Sequence, residues 1–351
     1  MGIVFDLRKG VSRLLRPDGQ EHAAPLEVRR DPLTGRTVHV AHFGAVEAQP
    51  LDPAWYRRDE VRGACPFCPE HRDRCLPRFP PELFPEGVLC RGRAVLFPNL
   101  YPYDAHGSVC VLSDEHVVPL EGLTPDAVVD GLELGLRFWE RVLEADPSHA
   151  HPVMAWNYMP PSGGGLVHPH IQFFAFREPG NRYREELAAS AGFAARKGRD
   201  YWSALLEAER AQGTRYLGRT GRWEWVSAFA PAGILGEILG VLPGAWHLEA
   251  MPEGWIGDLC RGLERCFAYF RAAGIHSFNA VLFLGPAGQQ HFAAHLRVAP
   301  RTFLNLRDHA PDTNFFQVLL EEPVCAVRPE DLASAARSWF TGRAGGDPET
   351  R

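Results

Sequence analysis

The chain has 351 residues, 45% hydrophobic and 23% charged, with 21 Phe, 9 Trp and a formal net charge of −6. That is enough apolar material for a large core, in one domain or in two units sharing it, and it excludes disorder beyond the ends. No basic stripe marks a nucleic-acid binder, no apolar run reaches the length of a membrane span, and charges interrupt residues 1–17 where a signal peptide needs an apolar core. A cytoplasmic protein is expected, one that grips any phosphate through local groups and not through a global field.

Residues 1–25 read as an N-terminal extension. Residues 26–40 read as strand, turn, strand, with Asp31-Pro32-Leu33-Thr34-Gly35 as the turn and Thr37-Val38-His39-Val40 as the return. Residues 61–90, rich in Pro, Cys and charge, read as an irregular loop. Short strands are expected at 94–97 and 109–112. Thr124-Pro125-Asp126 is a helix start, and 127–143 carries apolar residues at helical spacing. A strand at 153–157, a glycine loop at Ser162-Gly163-Gly164-Gly165 and an aromatic-rich strand at 166–176 follow. The second part repeats this order weakly: strand 237–241, His247, helix 252–272, strand 279–283, loop Gly285-Pro286-Ala287-Gly288, strand 291–298. The repeat predicts an α+β fold of two pseudo-symmetric halves, mainly antiparallel sheet flanked by helices. The halves are placed at 26–185 and 186–343, with 344–351 as a flexible tail.

In a strand alternate residues share a face, so His168, His170 and Gln172 are expected on one side of 166–176, with Pro169 and Ile171 on the other. The alternative is an edge strand, which Pro169 suits, with its histidines simply on the surface. Cys65-Pro66-Phe67-Cys68 has zinc spacing in a turn-rich loop, and His116 and His168 can complete four ligands; the alternative is a reduced cysteine pair in a knuckle. Cys110, Cys260, Cys266 and Cys325 read as small buried apolar side chains. A neutral imidazole at His170 can attack phosphorus once its other nitrogen is held by an acceptor. Gln172 can donate to a phosphate oxygen, and the backbone N–H groups of Ser162, Gly163, Gly164 and Gly165 can cradle others, unless that loop is a plain hairpin turn. His39, His106, His149, His151, His276 and His309 read as surface or structural. The pairs Phe173-Phe174 and Phe315-Phe316 read as core.

The run His168-Pro169-His170-x-Gln172 resembles the active-site signature of galactose-1-phosphate uridylyltransferases, a branch of the histidine-triad superfamily. Cys65-Pro66-Phe67-Cys68 is similar to that family's zinc-binding pair, and Asp31-Pro32-Leu33-Thr34-Gly35-Arg36 to its N-terminal signature. Phe97-Pro98-Asn99-Leu100-Tyr101-Pro102 and residues 107–116 resemble its nucleotide-binding stretch and third zinc ligand. Asn157, Gln290-His291 and residues 295–300 match in order, so the resemblance spans roughly residues 27–325. It implies two histidine-triad-like halves and a ping-pong transfer of a nucleoside monophosphate between a nucleotide sugar and a sugar 1-phosphate. His170 would be the covalent nucleophile and Gln172 the phosphate binder. Phe97, Asn99 and Asn157 would lie around base and ribose. Cys65, Cys68, His116 and His168 would hold one structural Zn2+. The relatives commonly pair, so a homodimer is among the expectations, and galactose metabolism is the family's pathway.

The chain departs from this pattern in places. Ile171 stands where the uridylyltransferases usually carry Gly. Leu100 replaces an Asp, and Asn99-Leu100-Tyr101-Pro102 looks closer to the adenylyl-sugar phosphorylase branch. The second metal site of some members uses a Glu and three His, whereas Glu186, His295, Leu284 and Arg297 fall near those positions here. Leu284 and Arg297 are not ordinary ligands, so that metal is expected to be absent. Two other readings remain open. With inorganic phosphate as acceptor the chain is a nucleotide-sugar phosphorylase, and with water a hydrolase. Without catalysis it is a zinc-stabilised nucleotide-binding protein, against which the presence of both His170 and Gln172 speaks.

Overall fold

The computed structural model describes residues 2–304 and 312–342. His309 and the tail expected at 344–351 lie outside the described residues. The first part of the chain forms β1 (Asp6–Leu15), β2 (Glu21–Arg30), β3 (Thr37–Val40), the short helices α1 (Pro53–Tyr56), α2 (Asp59–Gly63) and α3 (Pro69–Cys75), then β4 (Leu89–Arg91), β5 (Ala94–Pro98), β6 (His106–Val111), α4 (Pro125–Ala145), β7 (His151–Tyr158) and β8 (His170–Phe176). After these come α5 (Asn181–Lys197), α6 (Tyr201–Gln212), β9 (Tyr216–Thr220), β10 (Trp223–Ser227), β11 (Ile238–Leu242), α7 (Trp255–Ala272), β12 (Ser277–Phe283), β13 (Ala294–Arg301), α8 (Phe315–Val318), β14 (Val324–Cys325) and α9 (Pro329–Phe340).

The large sheet runs β4-β5-β6-β8-β7-β12-β13-β11-β10-β9, and all its pairs are antiparallel. Read inward from either edge, the order is the same: three strands in sequence, then the fifth, then the fourth. The two halves therefore meet at β7 and β12, where Asn157 lies opposite Asn279. Each half contributes one long helix between its third and fourth strands. For α4, Thr124 Oγ1 accepts the Ala127 N–H and Pro125 opens the first turn. All its buried residues but Leu134, namely Val128, Gly131, Leu132, Gly135, Phe138, Trp139 and Val142, follow the helical repeat and pack on the sheet. Gly135 sits so close to the Phe173 ring that a Cβ there would collide with it.

The two faces of the sheet differ. Ile171, Phe173 and Ala175 of β8 join the core under α4, and Trp225 of β10 joins the same core under α7. Val226, the next residue, packs on the opposite face with Trp202, Leu205 and Leu206 of α6. Helices α5 and α6 thus cover that face over the second half, and over the first half it stays free for the zinc-spaced loop and a cleft. Cys110, Cys260, Cys266 and Cys325 are buried, as expected for small apolar side chains.

Several boundaries shift. Strand β2 begins at Glu21, so the extension placed at 1–25 contains β1 and the start of β2, paired over their whole length. The division at 185/186 falls inside α5. The loop expected at 61–90 holds α3 and parts of α2 and β4. Phe315 is exposed, against its reading as core, because α8 has four residues and buries none of them. No helix among the described residues is long and apolar enough to cross a membrane.

A small sheet, β1-β2-β3-β14, is fastened to the rest by buried ions. Arg29 of β2 bonds Glu27 at 2.6 Å and Glu330 of α9 at 2.8 Å, and Arg215 bonds Glu209 at 3.0 Å and Glu330 at 2.9 Å. Burial pushes the Glu330 carboxyl up, but Arg29 and Arg215 outweigh it and hold the group at about 2, below its ordinary 4.5. Stability from this lowering is fully present above pH 4.5 and is lost as pH falls through about 2. Glu330→Gln is therefore expected to cost about 2 kcal/mol at pH 7, after discounting for partial exposure. Urea unfolding of the two proteins should show this gap narrowing below pH 4.5.

Candidate functional site

Two sites share the short segment around Pro169. Strand β8 begins at His170, not at residue 166, so His168 precedes the strand and does not share a face with His170 as expected. Pro169 has no N–H for the ladder, although its carbonyl still accepts from Leu112 N at 3.0 Å. This break turns the two imidazoles to different tasks.

His168 is fully buried against the zinc-spaced loop. Its Nε2–H donates to the Ser113 carbonyl at 2.8 Å, so the Nδ1 lone pair faces Cys65 Sγ and Cys68 Sγ, each 3.7 Å away. His116 Nδ1 lies 3.4 Å from Cys68 Sγ. All four ligand atoms fall within 4.8 Å of one another. A tetrahedral ion bound about 2.3 Å from sulfur and 2.0–2.1 Å from nitrogen separates S and N by roughly 3.5 Å, which these spacings match. Burial and the neighbouring Cys65 push the Cys68 thiol up to about 12, and burial lowers His168 to about 4. Two buried sulfurs beside two neutral imidazoles are a donor set that a cation completes, and the cluster can bind one metal ion.

His170 opens β8 and lines a neighbouring cleft with about 900 Å3 of empty space, counted to its open mouth. Its Nδ1–H donates to the His168 carbonyl at 2.7 Å. Burial lowers its pKa below the ordinary histidine value, so the ring is neutral and Nε2 carries a lone pair. Phe67, from between the two cysteines, meets the ring edge-on at 5.2 Å and packs on Phe97 at 5.5 Å. The metal loop thus forms one wall of the cleft.

The sheet register sets the cleft floor. Phe97, Val109, Gln172 and Ala155 stand in one row across β5, β6, β8 and β7. Gln172 is on the same face as His170, and its side-chain amide has no partner among the described residues. Asn99 closes a turn by accepting Tyr101 N–H at 3.0 Å through Oδ1, which leaves its Nδ2 for the cleft. Leu100, Tyr101 and Tyr103 stand exposed at the mouth.

The glycine loop provides less than expected. Ser162 N and Gly163 N bond Met159 O and Pro160 O at 3.0 and 2.9 Å, and Ser162 Oγ donates to Met159 O at 2.6 Å. Those groups close a single helical turn and do not face a ligand. Only the amides of Gly164 and Gly165 lack a partner among the described residues. Met159 has φ 64° and Gly163 φ 84°, so the loop is held in an unusual conformation beside the cleft.

The corresponding region of the second half is closed. Glu186 is fully buried; Oε1 accepts from Arg182 Nε and Arg297 Nη2, both at 2.9 Å, and Oε2 lies 3.1 Å from His295 Nε2. Arg297 also bonds Glu237. Burial raises the Glu186 carboxyl, but Arg297 and Arg182 hold it well below its usual range. Leu284 contributes only its backbone carbonyl, to the Tyr183 hydroxyl. His106 and His149, read as surface or structural, bond one carboxylate oxygen of Asp146 at 3.0 and 2.8 Å.

Sequence reasoning passed over Tyr103, Asn279 and Arg301 at or near the cleft, and quoted Phe67 and Tyr101 only as members of longer motifs. Asn279 carried a signal, since both halves placed an Asn on the corresponding strand.

No family model matches the chain. An uncharacterized protein of Archaeoglobus fulgidus is 30% identical over 319 residues, 90% of this chain and 93% of its own length. Among solved structures, an ADP-glucose phosphorylase from Arabidopsis thaliana with bound ADP-glucose superposes with a TM-score of 0.66 at 18% identity, covering 89% of this chain and 98% of the other. A uridylyltransferase superposes with a TM-score of 0.63 at 19% identity, covering 90% and 98%. The chain thus belongs to one family with the archaeal protein, and its fold is that of the ADP-glucose phosphorylase and the uridylyltransferase on which it superposes.

Proposed function

We propose that the chain is a nucleotidyltransferase that moves a nucleoside monophosphate from a nucleotide sugar to a sugar 1-phosphate through a covalent adduct on His170. One observation carries the reading: Nδ1 of His170 is held by the His168 carbonyl, leaving a neutral Nε2 lone pair in a cleft beside the unpartnered Gln172 amide. In the first step Nε2 attacks the α-phosphorus. The N–P bond forms, the P–O bond breaks, and the electron pair departs with the sugar 1-phosphate. The positive charge left on the ring rests on Nδ1–H, against the carbonyl that already accepts it. In the second step an acceptor oxygen takes the nucleotidyl group and returns His170 to its neutral form. Gln172, Gly164 N and Gly165 N supply donors for charge on the non-bridging oxygens. Phe97, Asn99 and Asn157 receive base and ribose. Cys65, Cys68, His116 and His168 hold a structural zinc, whose contribution when bound is to fix the loop bearing Phe67 and the carbonyl that orients His170.

The acceptor has a second reading. Leu100 stands exposed at the mouth where the uridylyltransferases carry an Asp, and a structural neighbour is a phosphorylase with ADP-glucose bound. Inorganic phosphate as acceptor would release a nucleoside diphosphate. The deciding experiment incubates the protein with a panel of uridine and adenosine nucleotide sugars, quenches in alkali, where a phosphoramidate survives, and reads the intact mass. The expected result is one added nucleoside monophosphate, mapped to His170, whose mass names the base. Chasing the adduct with phosphate or with sugar 1-phosphate then separates the acceptors. Tight nucleotide binding with no adduct from any donor would instead favour a binding protein without catalysis.

A further inference from the structure

The second half reaches the cleft through hydrogen bonds whose polarity is fixed. Arg301, at the end of β13, donates from Nε to Asp312 Oδ1 at 2.6 Å, from Nη2 to Thr313 Oγ1 at 2.5 Å and from Nη1 to Asn279 Oδ1 at 2.6 Å. A guanidinium can only donate, so the Asn279 atom it meets must be the oxygen. The Asn279 Nδ2 is then turned the other way. It donates to Asn157 Oδ1 at 2.6 Å and to Ser162 O at 2.9 Å. Asn157 must accordingly show its oxygen to Asn279, which leaves Nδ2, with two N–H donors, for the cleft it lines.

We propose that Arg301 and Asn279 are positioning residues that set the amide orientation of Asn157, so that the cleft meets its nucleotide with a donor at this position and not with an acceptor. The same bonds hold Ser162, and with it the start of the glycine loop. The inference rests on the nucleotide reading of the cleft. Asn279 and Arg301 belong to the half that carries no nucleophile, so that half contributes specificity for oxygen-rich, anionic ligands without touching them. Without Arg301, Asn279 keeps only the Ser162 carbonyl to set its orientation, and Asn157 is held less firmly against turning its own carbonyl toward phosphate or ribose oxygens.

Asn279→Asp tests this with little change of shape. The carboxylate still accepts from Arg301, but it offers Asn157 only an acceptor, so Asn157 must turn to donate and present its oxygen to the cleft; the bond to the Ser162 carbonyl is lost as well. The affinities of UDP-glucose and ADP-glucose are measured by calorimetry, alongside adduct formation in a single turnover. For the better ligand, Asn279→Asp is expected to weaken binding about tenfold or more, and by no more than about threefold when Asn157 is already Ala, that remainder coming from the lost Ser162 bond. Arg301→Met should weaken binding in the same direction but less, about fivefold, because Ser162 O still accepts from Asn279, and Arg301→Lys, which restores a donor, should recover to within about twofold of the wild type. These variants decide the matter even if Asn279→Asp folds poorly. Equal losses with and without Asn157, or no recovery by Lys, would overturn the inference while leaving the His170 adduct intact. The expected coupling without any adduct would overturn the His170 chemistry alone. Binding of neither nucleotide sugar to the wild type would overturn both.

Discussion

His170→Ala is expected to lower nucleotidyl transfer by on the order of 10^4-fold or more, with nucleotide-sugar affinity changed by no more than about tenfold. The size follows from the chemistry. The ring supplies the electron pair that forms the N–P bond, and among the described residues no other imidazole lines the cleft. Of the nearby cysteines, Cys65 and Cys68 face His168 and His116 and not His170, and Cys75, which also lines the cleft, has no side-chain hydrogen-bond partner among the described residues to activate it. Gln172→Ala should cost far less, about 10²-fold, because it removes one donor to the developing charge and leaves the nucleophile in place. Single-turnover mass spectrometry and steady-state assays with the donor identified by adduct mass would show both. Retention of full turnover by His170→Ala would end the proposal.

Removing the metal should have the largest effect on the fold. Cys65→Ser, Cys68→Ser or prolonged chelation is expected to take the metal content from one equivalent per chain toward zero and to lower Tm by at least about 10 °C. Without an ion, the two buried sulfurs and the two imidazole Nδ1 atoms that converge there have only one another as weak hydrogen-bond partners. Activity should fall along with stability, because the freed loop carries Phe67 and the freed His168 carries the carbonyl that holds His170. Metal analysis and calorimetric melting of the intact chain test this. An unchanged Tm after complete removal would show that the loop folds without its ion.

Much of this architecture is legible in the residues. The two long helices announce themselves because α4 and α7 bury apolar residues at three- and four-residue intervals. The repeat is visible because each half puts an Asn-bearing strand, a turn and a His-bearing strand in the same order. Helix α5 escapes notice because its buried face includes Tyr183, Glu186 and Ser190, so its pattern is too polar to stand out. The two histidines are misassigned to one strand face because alternation holds only within a strand, and the strand expected from residue 166 begins only after Pro169, at His170. The glycine loop looks like a phosphate cradle in sequence, yet whether an N–H faces a ligand or closes its own turn depends on backbone angles that composition does not carry. Asn279 and Arg301 become meaningful only once β7 and β12 are seen side by side.

The Arg297 ion cluster bears on how this chain can change over generations. Its positive charge is synthesised with the polypeptide, so it is never scarce and never exchanged for a different ion. It also constrains inheritance. Losing Arg297 alone leaves Glu237 buried without its ion-pair partner and Glu186 with Arg182 as its only cation among the described residues, and losing either carboxylate leaves the guanidinium poorly matched. Single-step substitutions at these three positions should be purged, and viable descendants should carry coordinated replacements. A mutational scan of the second half would record that as an island of intolerance far from the nucleophile.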